Sequence, residues 1–161
     1  MAKHNVIFTK DNEYYTPKEF VRLFGNFDYD PATTREKAEE FGIKNYDTIE
    51  TDGLQADWSK YKRIWINPPF TLKHEFLKKA VETYKRCHNE IYILFPIEFI
   101  TTKRFFKIME GMSGVLFIPN GRIKFESGLG KKSSSPAFGS IVLKLTDENL
   151  GGKFICYSIK I

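Results

Sequence analysis

Cysteine is scarce in this chain: Cys87 and Cys156 are the only two among 161 residues, and they lie far apart. Nothing here resembles a disulfide framework, and no Cys/His spacing matches a zinc site. Two free, buried thiols are expected instead. Long apolar runs are also missing. None approaches the roughly 20 residues that a membrane span needs. The first residues, Met1-Ala2-Lys3-His4-Asn5, contain no apolar stretch, so no signal peptide is expected and a cytoplasmic protein is. Charge of one sign does not dominate either. The net charge of +5 fits a polyanionic partner or simply a lysine-rich surface. What the chain has in quantity is aromatic residues, 15 Phe and 8 Tyr, enough for a real core with rings left over as stacking surfaces. Its length fits one domain, residues 1–161.

Punctuation and periodicity divide the chain into elements. Thr16-Pro17-Lys18-Glu19 reads as a helix start with Thr16 as cap and Glu19 completing a capping box. Phe20, Val21, Leu23 and Phe24 give that helix an apolar face, and Gly25 can end it. Phe27-Asp28-Tyr29-Asp30 reads as a short strand ending at Pro31. Thr33 or Thr34 then opens a helix that reaches Phe41 and stops at Gly42. Residues 43–61 carry turn formers and weak periodicity, so irregular structure with one short strand is expected. Arg63–Ile66 reads as a strand by its β-branched and aromatic content. Phe76, Leu77, Ala80, Val81 and Tyr84 recur at helical spacing. Ile91–Phe95 has the continuous apolar content of a central parallel strand. A helix over Thr101–Met109 and a strand over Val115–Ile118 follow.

Beyond that point Arg122–Phe125, Phe138–Leu145 and Phe154–Ile159 read as strands with no helices between them. A polar loop covers Glu126–Pro136. The expectation is an α/β sheet with an added C-terminal antiparallel β-hairpin region.

Ligands of open α/β sheets sit beyond the carboxyl ends of the strands. Two such ends carry polar, proline-punctuated turns. The more informative is Asn67-Pro68-Pro69-Phe70, placed between the strand Arg63–Ile66 and an amphipathic helix. An exocyclic amine on an aromatic ring is a poor nucleophile, because its lone pair is delocalised. Two acceptors on its hydrogens favour a tetrahedral, more nucleophilic nitrogen as a methyl group arrives. The Asn67 side-chain oxygen and the Pro68 carbonyl can be those acceptors, kept in aim by prolines that fix φ. Phe70 can stack on a base taken out of a duplex. The pattern therefore points to methyl transfer onto an amine, without a general base. A plain strand-to-helix turn with Phe70 in the core is the competing reading. The second turn is Asp28-Tyr29-Asp30-Pro31-Ala32. Asp30 can accept hydrogens from an amino group or ribose hydroxyls, or it can be a helix-capping residue. Tyr14-Tyr15-Thr16-Pro17 can close over a ligand, with Thr16 binding a carboxylate.

Taken in order, Tyr15-Thr16-Pro17, Phe27-Asp28-Tyr29-Asp30-Pro31-Ala32, Asp52-Gly53-Leu54, Trp58, Asn67-Pro68-Pro69-Phe70, Leu94-Phe95-Pro96 and Gly121-Arg122-Ile123-Lys124-Phe125 resemble the phage-type Dam family of DNA N-6-adenine methyltransferases. The match spans roughly residues 13–145. The resemblance implies a Rossmann-like, S-adenosyl-L-methionine-dependent methyltransferase sheet acting on double-stranded DNA with the target base flipped out. It carries cofactor binding to Tyr15, Thr16, Pro17, Asp28, Asp30 and Pro31, with Asp57 expected at the cofactor adenine. It carries amine recognition to Asn67, Pro68 and Phe70. It also implies a host-cytoplasmic enzyme when phage-encoded, with protection of phage DNA from restriction as a fitting role.

Two departures stand out. Asp30-Pro31-Ala32 takes the place of the glycine-rich turn of methyltransferases in general. Phe70 stands where Tyr is common in adenine-directed enzymes. Asn-Pro-Pro-Phe also suits an RNA base, a cytosine or a protein glutamine, so these remain rival substrates, and a non-catalytic nucleic-acid-binding relative is the rival class. Arg122, Lys124, Lys131 and Lys132 are candidate phosphate contacts. Lys103, Arg104 and Lys107 read as one face of a surface helix, and His74 as a surface helix residue.

Overall fold

The computed structural model describes residues 14–127, 138–147 and 150–161. In chain order its elements are β1 (Tyr14–Tyr15), α1 (Lys18–Arg22), β2 (Tyr29–Asp30), α2 (Arg35–Phe41), β3 (Asn45–Tyr46), β4 (Arg63–Ile66), α3 (Lys73–Cys87), β5 (Glu90–Pro96), α4 (Lys103–Ile108), β6 (Ser113–Pro119), β7 (Glu126–Ser127), β8 (Ser140–Thr146) and β9 (Phe154–Ile159). Short 3-10 turns, Phe70–Leu72 and Ile97–Thr101, precede α3 and α4. Seven strands form one sheet in the order β3-β2-β4-β5-β8-β6-β9, and β1 pairs separately with β7.

The first half of the sheet is parallel throughout. β8 lies between β5 and β6 and runs antiparallel to both. Strand alternation explains how both faces are buried. Ile64, Ile66, Ile91, Ile93 and Phe95 point to one face and pack with Phe76, Leu77, Ala80 and Val81 of α3. Trp65, Tyr92, Leu94 and Val142 point to the other, against Phe20 and Val21 of α1. Each fully buried side chain of this size stabilises the fold by about 1.5–3 kcal/mol. The continuous apolar runs of β4 and β5 are thus what a two-sided core requires.

Several expectations need correction. Thr16 does not cap α1: Pro17 occupies that position without a side-chain cap bond. Glu19 accordingly completes no capping box. The helix is one turn long, started by the Pro17 carbonyl accepting from the Phe20 and Val21 amides at 3.1 and 3.3 Å. Gly25, at φ 89°, turns the chain two residues after the cap Leu23. Arg122–Phe125 is not a strand; Ile123 and Phe125 alternate because both are buried in the α1-side core. The C-terminal strands do not form an antiparallel hairpin with each other, because β6 separates β8 from β9 and β9 runs parallel to β6. The expected helix over Thr101–Met109 is shorter, with Thr102 Oγ1 capping the Phe105 amide. Cys156 is exposed on the edge strand β9, and Cys87 is half-buried. By contrast α2 begins at the Thr34 cap and ends at Gly42, in the left-handed region, as its sequence indicates.

Candidate active site

The chain leaves β2 toward β3 on one side and returns as β4 on the other. Strand order therefore reverses between β2 and β4, which is where open α/β sheets form a crevice beyond the carboxyl ends. Asp30 ends β2, and Asn67 follows β4 directly. Tyr29 is registered with Ile64, so by alternation Asp30, Trp65 and Asn67 share one face of the sheet. The two turns singled out in the sequence are brought to one corner.

The segment Tyr14–Pro17 crosses that corner. Asn67 Nδ2 donates to the Tyr14 carbonyl at 2.8 Å and to Thr16 Oγ1 at 3.1 Å. A carbonyl can only accept, so these partners fix which amide atom is nitrogen and leave Oδ1 facing the other way. Among the described residues neither Asn67 Oδ1 nor the Pro68 carbonyl has a hydrogen-bond partner. Pro68 is buried and Asn67 half-buried, so both acceptors are held in a shielded place. Thr16 is 2% exposed, which is the reason it serves the corner and not α1.

Asp30 is 2% exposed and, among the described residues, accepts the Ala32 amide at 2.9 Å on Oδ1. Burial pushes its carboxyl up to about 7, against a smaller lowering by the Ala32 bond. A carboxylate so far removed from water is costly to keep charged unless donors reach it. Pro31 is buried beside it and touches the Asp52–Leu54 loop. A Cβ on Gly53 would lie 1.9 Å from the Pro31 carbonyl oxygen, so no larger residue fits. Trp58 Nε1 donates to the Gly53 carbonyl at 2.8 Å, and Lys79 Nζ donates to the Leu54 and Ala56 carbonyls at 2.6 Å each. Three of the sequence segments thus converge on one packed loop behind Asp30, with Lys79 of α3 holding it.

Aromatic rings form the rim. Phe70 is 41% exposed and meets Phe138 edge-on at 5.2 Å, and Phe138 meets Tyr14 at 6.1 Å. Lys73 Nζ donates to the Phe70 carbonyl at 2.9 Å and lies 5.3 Å from its ring. Phe70 is therefore a surface ring and not a core residue. His74 packs edge-on against Phe99 at 4.8 Å, which fits its reading as a helix residue. Tyr15 pairs with Glu126 across β1 and β7, with Lys37 holding Glu126 and Glu40 at its side.

Other expected residues fall elsewhere. Asp28 precedes β2, so it lies toward the amino end, away from the corner. Its Oδ2 accepts the Lys62 and Arg63 amides at 3.2 and 3.0 Å, which sets the start of β4. Asp57 is exposed, and bonds from the Ser59 hydroxyl and amide hold its carboxyl below the usual range. It borders a cleft of about 410 Å³ together with Tyr46, Asp47, Lys60 and Tyr61. Arg122 and Lys124 are exposed, while Lys131 and Lys132 lie outside the described residues.

Sequence reasoning missed Asp47 and the role of Tyr14. Asp47 follows β3 at its carboxyl end, accepts a hydrogen bond from the Tyr29 hydroxyl and lines the same cleft. The signal was its position after the Asn45-Tyr46 strand, hidden by that segment's weak periodicity. Tyr14 acts through its carbonyl, which no side-chain pattern reveals.

The family model described as DNA N-6-adenine-methyltransferase (Dam) matches residues 8–155. A protein of Escherichia phage T1 named DNA N-6-adenine-methyltransferase is 27% identical over 146 residues, covering 79% of this chain and 59% of the relative. The chain thus spans about three-fifths of that relative's length. A crystal structure from Listeria monocytogenes, provisionally assigned as a class I S-adenosylmethionine-dependent methyltransferase, aligns at 13% identity with a TM-score of 0.40, over 76% of this chain and 44% of that one. Nothing about the site follows from so distant a likeness. The family model covers nearly the whole chain, both turns of the corner included: the chain belongs to the DNA N-6-adenine-methyltransferase (Dam) family.

Proposed function

We propose that the chain transfers a methyl group from S-adenosyl-L-methionine to the 6-amino group of adenine in double-stranded DNA, with the base flipped out of the duplex. One observation carries this reading. At the β2/β4 corner the Asn67 oxygen and the Pro68 carbonyl are fixed and have no partner among the described residues, while the Asn67 nitrogen is spent on Tyr14 and Thr16. Such an arrangement accepts two hydrogens from one planar amine.

The residues present also fit the cofactor. Asp30 is a buried carboxyl whose hydrogen bond among the described residues is the one from the Ala32 amide to Oδ1, so its second oxygen can take an ammonium or hydroxyl donor. Thr16 has a hydroxyl proton with no acceptor among the described residues. The cleft at Asp57 and Asp47 offers polar edges for an adenosine. Tyr15, Thr16, Pro17, Asp30, Pro31 and Asp57 would hold the cofactor, which supplies an electrophilic sulfonium methyl. Asp28 is left out of this set, because its carboxylate sets the β4 register at the other end.

Asn67 Oδ1 and the Pro68 carbonyl bind the amine hydrogens and shift the nitrogen toward tetrahedral geometry. Prealigned acceptors of this kind cost no reorganisation when charge develops on the amine. Phe70, exposed at the rim, stacks on the extruded base, a contact worth about 1–3 kcal/mol. Arg122, Lys124, Lys131 and Lys132 are the proposed phosphate contacts.

The test is mass analysis of nucleosides after incubation with duplex DNA and S-adenosyl-L-methionine. N6-methyladenine is the expected product. Label only in RNA, in cytosine or in protein glutamine would move the substrate to another amine, and no transfer at all would indicate a binding relative.

A further inference from the structure

We propose that Thr16 is a positioning residue that couples the acidic end of the methyl donor to the orientation of the Asn67 amide. The inference rests on the cofactor reading above and goes beyond it by linking the donor site to the amine site. A threonine hydroxyl has one proton to give and lone pairs to receive. Here the oxygen accepts from Asn67 Nδ2 at 3.1 Å, and the proton has no acceptor among the described residues. The side chain belongs to a residue only 2% exposed, so water is a poor substitute. A buried hydroxyl with an unspent donor is satisfied by a ligand acceptor, and a carboxylate is the strongest available.

The geometry makes the hydroxyl a bridge. Donation to a carboxylate polarises the oxygen and strengthens its acceptance from Nδ2, since hydrogen bonds in a chain reinforce one another. Tyr14, two residues earlier on the same segment, holds the other amide hydrogen through its carbonyl at 2.8 Å. The whole Tyr14–Thr16 segment therefore fixes the direction of Asn67 Oδ1, and the donor tightens that fixation. Linkage makes the effect reciprocal: what loosens the Asn67 amide also weakens donor binding.

Isothermal calorimetry with S-adenosyl-L-methionine and NMR of the Asn67 side-chain NH2 pair test this together. Thr16→Val is expected to weaken donor binding about tenfold and Thr16→Ser to restore it within about twofold, the scale of one charge-assisted hydrogen bond. Asn67→Ala, which touches no donor atom in this account, should weaken donor binding about threefold, roughly the scale of one neutral hydrogen bond. The double variant Thr16→Val/Asn67→Ala should be no worse than Thr16→Val alone. In the ligand-free protein the Asn67 NH2 signals should move in Thr16→Val and stay in Thr16→Ser. Donor binding by the wild type with additive losses in the double variant would overturn the coupling and leave the methyltransferase reading standing, as would unchanged binding in Thr16→Val. No donor binding by the wild type at millimolar concentration would remove both.

Discussion

The two ends of β2 and β4 are built from similar residues and do opposite things. At the amino end Arg63 and one oxygen of Asp28 are spent internally. Arg63 gives its guanidinium to Glu90 at 2.5 Å, to the Asn26 and Phe24 carbonyls at 2.5 and 2.7 Å, and lies over the rings of Phe27 and Tyr92. Asp28 takes two strand amides. At the carboxyl end Asp30, Thr16, Asn67 and Pro68 each keep one hydrogen-bonding position open among the described residues. The same carboxylate chemistry closes the fold at Asp28 and leaves it open at Asp30, two residues later. Saturated groups hold a structure, whereas shielded, unsaturated ones hold a ligand, at some cost in stability.

Substitutions at the two ends should therefore separate stability from binding. The largest effect is expected at Asp30. Asp30→Asn should lower donor affinity by about 10- to 100-fold, the scale of a charged hydrogen bond, as read by calorimetry. It should also stabilise the ligand-free protein. Burial raises the Asp30 carboxyl from 3.8 to about 7, so the folded state keeps a proton that the unfolded chain releases across that range. Stability of the free protein then falls as pH rises from about 4 to about 7, and the slope of Tm against pH should flatten in Asp30→Asn. A variant that binds as wild type would erase the contrast.

Arg63→Met should do the reverse. It removes the donor from the Phe24 and Asn26 carbonyls and leaves Glu90 with Lys144 at 4.0 Å, and should lose about 1–2 kcal/mol in urea unfolding while turnover per folded molecule is kept. A loss of turnover beyond the loss of folded protein would mean that the amino end takes part in function. Phe70→Ala removes an exposed ring, so stability should hold while DNA affinity falls by about 1–2 kcal/mol in fluorescence titration, within the range for one base stack. The smallest effect is expected from Lys124→Gln, which should reduce the salt slope of DNA binding by about one and leave donor affinity alone.

Much of this was legible in the residues. The apolar runs of β4 and β5 indicated a two-sided core, and the Asn67 and Asp30 turns fell at strand ends because proline and polar residues punctuate them. Thr34 and Gly42 bounded α2 by local capping chemistry alone. What escaped detection was long-range. Thr16 looked like a cap, and only the arrival of Asn67 from fifty residues away drew it elsewhere. Arg122–Phe125 alternates because two of its residues are buried by tertiary packing, and no local pattern distinguishes that from a ladder. Asp28 and Asp30 are alike in sequence, and the register of β4 decides which one is spent.

The central claim is tested most directly by single-turnover methyl transfer to duplex DNA, comparing Asn67→Ala with Arg63→Met at equal folded fraction. The account predicts a rate of N6-methyladenine formation that falls on the order of 100-fold or more in Asn67→Ala and stays near wild type in Arg63→Met. Equal rates in the two variants would contradict it.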